Sequence, residues 1–349
     1  KPIDEEIARL PKPRTVYTAA SYFPRAGTFR PSLGPRPVFV LGRGNVRSPG
    51  KPAVPGALTC VPSLPARFEL KDPSDEGSRR AALADWIGDE RNMLTWRSVV
   101  NRVWHYHFGA GIVDTPNDFG RMGSKPTHPE LLDWLAVWFR DDAHGSLKQL
   151  HRLIVTSAAY RQSSRNREDG AKADADNRLL WRQNRTRLDA EAVHDTILQA
   201  AGKLDLTMGG PPVELFWFKD DHSPVYDYAR FDPDTPGSHR RSIYRFIVRS
   251  VPDPFMERLD CPDPSVQAPK RSTTITAIQA LAMLNNPFVL KMAEHFAERA
   301  GTAEQAVRLA LGREATAEER TAYADYAAKY GLANLCRVLF NTNEFLFVD

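Results

Sequence analysis

Residues 96–123, WRSVVNRVWHYHFGAGIVDTPNDFGRMG, establish the pattern that decides the fold. Trp96, Val100 and Val103 are spaced four and three apart, which places them on one face of an α-helix. Gly109 follows this pattern, and glycine is the residue that most often ends a helix in the left-handed conformation. The segment therefore predicts an amphipathic helix that ends at Gly109, followed by a loop rich in polar side chains.

Helical patterns recur along most of the chain on either side of this segment. We expect helices from Ser78, from Thr127 to about Arg140, from Ser146 to Ala159, from Asp189 to Gly202, from Thr273 to Leu284, and from Pro287 onwards. Thr127, Thr302 and Thr316 each precede a glutamate or glutamine by three residues, which predicts capping boxes. The predicted fold class is mainly α, an irregular helical fold with few short strands and a C-terminal helical bundle.

Composition divides the chain into four segments. Proline-rich residues at the start predict an extended arm with one strand at 38–41, and Ser242–Arg249 reads as a further strand. We expect residues 76–349 to form one structural unit. The predicted segments are a proline-rich N-terminal arm (1–75), a helical block (76–202), an aromatic insert of loops and strand (203–270) and the C-terminal helical bundle (271–349).

Length and charge exclude several classes of protein. With 349 residues, of which 42% are hydrophobic, the chain can bury a sizeable core. The formal charge of +4 is small and spread along the chain, so we do not expect more than weak nucleic-acid binding. The sequence contains no run of eighteen apolar residues, which is what a membrane-spanning helix needs. The first thirty residues also lack the apolar core of a signal peptide.

The cysteines give no sign of a cofactor. Cys60, Cys261 and Cys336 lie far apart and form neither a CxxC pair nor the CxxCH signature of covalent haem. We therefore expect no cofactor in this chain, and we expect the thiols to be buried and unreactive.

Several long segments resemble one protein family: residues 101–123, 128–135, 146–164, 271–288 and 340–349. By these segments the chain resembles the C-terminal domain of the planctomycete cytochrome-c-associated proteins, a domain of unknown function. The resemblance implies a periplasmic or secreted protein in which a cytochrome c and a second domain precede this one and are its partners. Haem is then expected only on that upstream cytochrome, and the family supplies no catalytic residues. The start at Lys1, without methionine, fits a missing upstream part.

The end of the first helix and the loop after it provide candidates for an enzyme site. In this hypothesis His105 accepts or donates a proton, Asp118 orients it, and Arg121 holds an anion. Asn101 and His128 complete the predicted pocket. The competing interpretation gives His105 a structural role in the core or at the helix end.

A second group of candidates belongs to a binding site. Trp217 and Tyr226 lie in the aromatic insert and would offer ring faces to a sugar, although aromatic residues also anchor long loops. Arg161, Arg241 and Arg271 would form an anion pocket if they converge, and would otherwise brace loops through carbonyl groups and carboxylates.

The motifs for metals and nucleotides are incomplete. His105 and His107 lie about 200° apart around a helix, so they cannot easily share a metal. Glu191 and His194 form a single ExxH, whereas di-iron bundles need two. We predict no metal site. Residues 120–126 have the wrong order for a phosphate loop, and neither GxSxG nor HExxH occurs.

These observations lead to three functional hypotheses. The leading one is a binding or scaffold module of a large exported, cytochrome-c-linked protein, associated with polysaccharide. The alternative is an enzyme, a hydrolase or an oxidoreductase-associated domain, with its pocket at residues 101–128. The third is weak nucleic-acid binding, which predicts a contiguous basic face.

Overall fold

A computed structural model describes residues 24–31, 34–235 and 237–348 of the chain. Of these residues, 43% are helical and 8% lie in strands, which confirms the mainly α fold class. Among them, no helix is long and apolar enough to cross a membrane. The chain divides into two compact units, Lys1–Arg97 with Ala136–Asp142, and Ser98–Leu135 with Ala143–Asp349.

The elements follow one another mostly as helices. The helices are α1 (Glu76–Gly88), α2 (Met93–Phe108), α3 (Pro129–Asp141), α4 (Leu147–Thr156), α5 (Glu168–Ala173), α6 (Ala190–Ala201), α7 (Pro254–Arg258), α8 (Ala277–Asn285), α9 (Pro287–Ala300), α10 (Ala303–Leu311), α11 (Ala317–Tyr330), α12 (Leu332–Phe340) and α13 (Asn343–Leu346). The strands are β1 (Phe39–Leu41), β2 (Pro49–Pro52), β3 (Thr186–Arg187), β4 (Trp217–Lys219), β5 (Val225–Asp227) and β6 (Phe347–Val348). They pair antiparallel as β1 with β2, β3 with β6, and β4 with β5.

The first unit has a small apolar core. The strand predicted at 38–41 is β1, in which Phe39 lies opposite Pro52 of β2. The buried side chains of Val61, Leu64 and Trp86 form the core. Most other described residues before α1 are exposed, which suits a segment rich in proline.

The second unit is built around three packed helices, α6, α9 and α12. Ile197 of α6, Met292 of α9 and Leu339 of α12 are each fully buried. The rings of Phe296 and Phe340 stack at 5.3 Å between α9 and α12. Each such apolar side chain contributes about 1.5–3 kcal/mol through removal from water, so these helices form a rigid base for the surrounding loops.

Several helix ends follow the sequence prediction. Gly109 and Gly202 end α2 and α6 with positive φ angles of 76° and 73°, the conformation that glycine adopts without a Cβ clash. Asn286 caps α9, as expected. Thr316 and Glu319 make both hydrogen bonds of a capping box at the start of α11.

Other predicted helix starts are wrong. Helix α3 begins at Pro129, and the Thr127 hydroxyl contacts His128 Nδ1 at 2.9 Å and the Ile112 carbonyl at 3.4 Å, so its predicted capping box does not form. The helix expected from Thr273 begins at Ala277, because Thr276 provides the cap.

The predicted strand Ser242–Arg249 is also wrong. Ser242–Tyr244 forms one turn of 3-10 helix, and the Ser242 amide donates to Asp195 Oδ1 at 2.7 Å. Tyr244 and Phe246 both bond to the backbone of a single residue, Val213. A ladder cannot extend from one partner residue, so the β-favouring side chains do not make a strand.

Candidate functional site

Asn101 has a structural role in the predicted pocket. Its side chain is fully buried, its amide donates to the Val113 carbonyl at 2.9 Å, and its carbonyl accepts from the Val113 amide at 2.8 Å. A Cβ on Gly111 would lie 2.5 Å from the Val113 carbonyl, so only glycine fits this approach. Asn101 therefore fastens the loop that follows α2.

His105 makes no hydrogen bond to Asp118 or Arg121, its predicted catalytic partners, among the described residues. Its Nδ1 is buried and has no partner within those residues. Burial, followed by the nearby Lys270, lowers the pKa of His105, while Asp114 acts in the opposite sense. The role of His105, Asp118 and Arg121 as an acid–base group therefore stays a prediction.

The other members of that prediction make local contacts. Asp118 Oδ1 accepts from the Gly120 amide at 2.8 Å and shapes a turn. Arg121 is exposed. His107 contacts His151 at 2.7 Å between Nε2 and Nδ1, and its pKa is lowered by burial and by His151. His105 and His107 thus have different neighbours, as expected for helical residues two apart.

A polar cleft of about 400 Å³ lies beside this segment. His128 and Asp114 line it together with the buried ring of Trp104. Ser124, Thr127 and residues 176–178, 180 and 184 also line it. Only His128 of the predicted pocket residues reaches this cleft.

The aromatic insert packs around one buried ring. Phe216 makes edge contacts with Tyr226 at 5.2 Å and with Tyr228 at 5.6 Å. Trp217 is partly exposed, and the guanidinium of Arg230 lies 4.1 Å from its ring centre. Tyr226 therefore anchors the hairpin β4–β5, and one face of Trp217 is already covered.

The three predicted anion-binding arginines do not form a common pocket. Arg271 makes two hydrogen bonds to Glu191, at 2.6 and 3.0 Å, which raise its pKa. Arg241 faces Asp195 at 3.7 Å. Arg161 is exposed and has no ion pair within the ranges that the structure describes. Arg241 and Arg271 therefore brace the chain through carboxylates.

An aromatic cavity of about 240 Å³ lies between α6, α7 and α9. Five aromatic rings line it, and among them are those of His194, Tyr228, Phe231 and Phe288. Its remaining lining residues are Leu215, Ala229, Pro233, Ser238, Asp253, Pro254, Phe255, Asn286 and Pro287. Apolar walls with a few polar groups are the usual composition of a small-molecule site.

His194 is the most constrained polar side chain of this cavity. Its ring is 4% exposed and stacks on Phe288 at 4.4 Å with an angle of 8° between the planes. Nδ1 lies 3.0 Å from Ser242 Oγ and 3.4 Å from Asp195 Oδ1. Burial raises the pKa of Asp195, but hydrogen bonds from His194 and Ser242 outweigh it and hold that pKa below the usual value.

A second cavity, of about 180 Å³, shares Tyr228 and Asp253 with the first. Arg245 lines it, with its side chain 9% exposed, and faces Asp253 at 3.5 Å. Burial, and then the charge of Asp253, raises the pKa of Tyr228 to about 12. The Cys261 thiol also lines this cavity and lies 3.8 Å from Glu191, and burial raises its pKa.

The thiols differ in their surroundings, contrary to the prediction that all are buried. Cys336 is buried, and burial raises its pKa to about 12, whereas Cys60 is exposed and Cys261 half-buried. Both side chains of the single ExxH already have protein partners. The Glu191 carboxylate accepts from Arg271, and His194 Nδ1 contacts Ser242 Oγ. Across the described residues there is no cluster of three or more metal-binding side chains.

The comparison with protein families supplies the classification. The family PSD1, described as a protein of unknown function (DUF1553), matches residues 79–327. The chain belongs to the DUF1553 family. This match confirms the expected domain of unknown function, while the link to cytochromes stays a prediction. Neither the curated proteins nor the solved structures gave a match to this DUF1553 chain.

Sequence motifs do not identify the aromatic cavity of the DUF1553 domain. Glu191 and His194 match only an incomplete metal-binding motif, and the side chains from Ser242 onwards predict a strand. The residues around the cavity come from positions 194, 215, 228, 229, 231, 233, 238, 253–255 and 286–288, which lie far apart in sequence. One signal was present, because the Asn286-Pro287 helix start and Asp253-Pro254 both mark helix ends that can border a pocket.

Proposed function

We propose that this DUF1553 domain is a binding module for neutral carbohydrate, with its site in the aromatic cavity beside His194. The observation that carries the proposal is the lining of five rings, from His194, Tyr228, Phe231, Phe255 and Phe288. Sugar rings have apolar faces that pack on such surfaces, while their hydroxyl groups need a few well-placed polar partners.

The size and charge of the cavity narrow the ligand class. A volume of about 240 Å³ is below the roughly 300–1,000 Å³ of pockets for drug-sized ligands, so it suits a single ring. Asp253 is the one carboxylate among the described lining residues, and Arg245 already faces it at 3.5 Å. Because this charge is compensated, the cavity favours an uncharged ligand.

Binding of oligosaccharides in solution tests the proposal. A glycan array identifies a neutral saccharide, and isothermal titration calorimetry then compares the wild type with Phe231→Ala and Tyr330→Ala. Tyr330 is an exposed ring on α11, outside the lining of the cavity, and serves as the matched control. We expect Phe231→Ala to weaken binding about tenfold, because a stacking contact and its buried area are lost.

The opposite results would reject this site. If no neutral saccharide binds, the carbohydrate proposal fails. If a saccharide binds and Phe231→Ala has the affinity of the wild type, the ligand lies elsewhere, for example on the exposed faces of the β4–β5 hairpin.

The parent protein is a separate part of the proposal. The resemblance of residues 101–123 and 271–288 supports an exported, periplasmic or secreted protein with an upstream cytochrome c and a second domain as partners. Fractionation of the native cells with haem staining and an antibody against this domain tests it. A single band that carries both haem and the domain, in the exported fraction, is the expected result, and a haem-free cytoplasmic band contradicts it.

The polar cleft supports a second candidate function, hydrolysis by groups near residues 101–128. His128 and Asp114 line this cleft of about 400 Å³ together. An imidazole and a carboxylate in one cleft can act on a bound substrate by proton transfer. Under this alternative, His128→Ala abolishes an activity that Phe231→Ala leaves unchanged, and the reverse result favours the aromatic cavity.

A further inference from the structure

We propose that the aromatic cavity is also the active site of an esterase, in which His194 removes a proton from water that attacks an ester on the bound sugar. This inference rests on the proposed function, since the sugar places the ester in the cavity. It adds a reaction to a site that the binding proposal alone leaves passive.

The contacts of Nδ1 fix the orientation of the His194 ring. Its Nδ1 lies 3.0 Å from Ser242 Oγ and 3.4 Å from the Asp195 carboxylate. An ionised carboxylate only accepts hydrogen bonds, so Nδ1 carries the proton and Nε2 carries the lone pair. Within the described residues, no protein group bonds to Nε2, which leaves it for a molecule in the cavity that the ring lines.

The groups behind His194 are themselves fixed. The Ser242 amide donates to Asp195 Oδ1 at 2.7 Å, and Arg241 lies 3.7 Å from Asp195 Oδ2. The parallel ring of Phe288 holds the other face of the imidazole. A base whose tautomer and direction are set by an ionised carboxylate resembles the histidine of hydrolytic enzymes in its role.

The class of bond follows from what else lines the cavity. Cleavage of a glycosidic bond uses two carboxyl groups, whereas Asp253 alone is present among the described lining residues. Its carboxylate accepts from the amides at the start of α7, so it is not placed to protonate a leaving group. The Ser238 hydroxyl donates to the Pro233 carbonyl at 3.0 Å. An ester needs only a base and water, because its alcohol leaves without a strong acid.

Asn286 supplies a donor for the developing negative charge. Its carbonyl oxygen accepts from the Phe288 amide at 2.9 Å, and its Nδ2 has no protein acceptor in the part of the chain that the structure describes. Asn286 lines the cavity as the N-cap residue of α9, a helix of 14 residues. The amide and the positive end of that helix both stabilise an oxyanion.

The reaction balances without a further reagent. Water attacks the acyl carbon while His194 Nε2 takes one of its protons, and the carbonyl electrons move to the oxygen beside Asn286. The tetrahedral intermediate then expels the sugar oxygen, which receives the proton from His194. One ester and one water become one carboxylic acid and one sugar alcohol, and no atom is oxidised or reduced.

Acetate release tests this reaction. The wild type is incubated with a neutral oligosaccharide carrying O-acetyl groups, and acetate is followed by NMR against a sample without protein. We expect His194→Gln to reduce the rate to that background. Asn286→Asp keeps the capping oxygen and removes the Nδ2 donor, so kcat should fall on the order of 100-fold while the unfolding midpoint changes little.

Asp195 is a positioning residue. A variant at this position distinguishes loss of the His194 orientation from loss of the fold. We expect Asp195→Asn to lower kcat about 100-fold or more with KM nearly unchanged, because the wrong tautomer of His194 becomes available. Asp221→Asn, at an exposed carboxylate paired with Lys219, is the matched control and should keep the wild-type rate.

The outcomes distinguish this inference from the binding proposal. If the unacetylated saccharide binds in the cavity and no acetate is released above background, the esterase inference is overturned and the binding function stands. If acetate is released equally by the wild type, His194→Gln and Asp195→Asn, the reaction occurs elsewhere and the inference is also overturned. If neither form of the saccharide binds, the proposed function itself fails.

Discussion

The loop after α2 and the cavity beside α6 differ in how their polar side chains are arranged. Between residues 101 and 123, histidine, aspartate and arginine are crowded in sequence, yet they make mostly local contacts in the structure. Beside the cavity, Ser242 and Phe288 come from distant segments to contact the His194 ring, and the neighbouring Asp195 contacts its Nδ1.

This difference shows that a dense motif can serve the fold. The Asn101 side chain makes two hydrogen bonds to the backbone of Val113, and Asp118 Oδ1 accepts one from the backbone amide of Gly120. Such contacts satisfy backbone groups that would otherwise be buried without a partner. His194, in contrast, has one nitrogen fixed and the other left for the cavity, which is the arrangement that a functional group needs.

The largest expected effect on stability comes from the loop region. We predict that Asn101→Ala lowers the free energy of unfolding by about 2–4 kcal/mol, since two buried hydrogen bonds to Val113 are lost. Urea unfolding at neutral pH measures the change. Asn117→Ala, at an exposed residue that accepts from Arg102, is the control and should lose less than about 0.5 kcal/mol. If the Asn101→Ala protein is stable and no longer binds saccharide, the binding site lies at the loop after α2.

The pair Glu191–Arg271 should have an intermediate effect. Both side chains are about one-third exposed, at 30% and 31%, so solvent screening reduces the effect of breaking the pair. We expect Arg271→Met to cost about 1–2 kcal/mol of unfolding free energy, and the double variant with Glu191→Gln to recover part of it. If Arg271→Met keeps its stability and loses saccharide affinity instead, the arginine binds ligand as the sequence first suggested.

Acid should weaken the cavity region through Glu191 and Asp195. Burial raises both pKa values, but hydrogen bonds, from Arg271 to Glu191 and from His194 and Ser242 to Asp195, leave them below the ordinary 4.5 and 3.8. A lowered folded-state pKa contributes stability above the unfolded value, and that contribution is lost as pH falls through the folded value. The free energy of unfolding should therefore decrease from about pH 5 downwards.

The Glu191→Gln variant checks the cause of this pH dependence. This variant has one fewer carboxyl group whose pKa is lowered in the folded state. Its free energy of unfolding should therefore fall less steeply than that of the wild type over the same acid range. Equal slopes for the two proteins would show that Glu191 does not contribute.

The smallest expected effect belongs to His105. Its Nδ1 is buried without a partner, so His105→Leu removes an unsatisfied group and should change stability by less than about 1 kcal/mol. Saccharide affinity and acetate release should equal those of the wild type. A loss of either in this variant, with the fold intact, would support the enzyme pocket predicted at His105, Asp118 and Arg121.

Sequence patterns predicted what depends on near neighbours along the chain. The glycine at 109, the cap at Asn286 and the capping box at Thr316 are all local, and each is present in the structure. Ser242–Arg249 failed as a strand because, among the described residues, Tyr244 and Phe246 both bond to the backbone of Val213, which lies far away in the chain and cannot extend a ladder. Local patterns do not predict the cavity either, because Ser242 and Phe288 lie far from His194 in sequence and contact it only in the folded chain.

Histidine-selective NMR can locate the saccharide site, because the nine histidines of the chain report on both regions at once. The ring signal of His194, assigned with His194→Gln, is followed during titration with a neutral oligosaccharide. If the ligand binds in the aromatic cavity, this signal shifts in a saturable way while the signals of His105 and His128 stay unchanged. A shift of the His105 or His128 signals while His194 stays constant would contradict binding in that cavity.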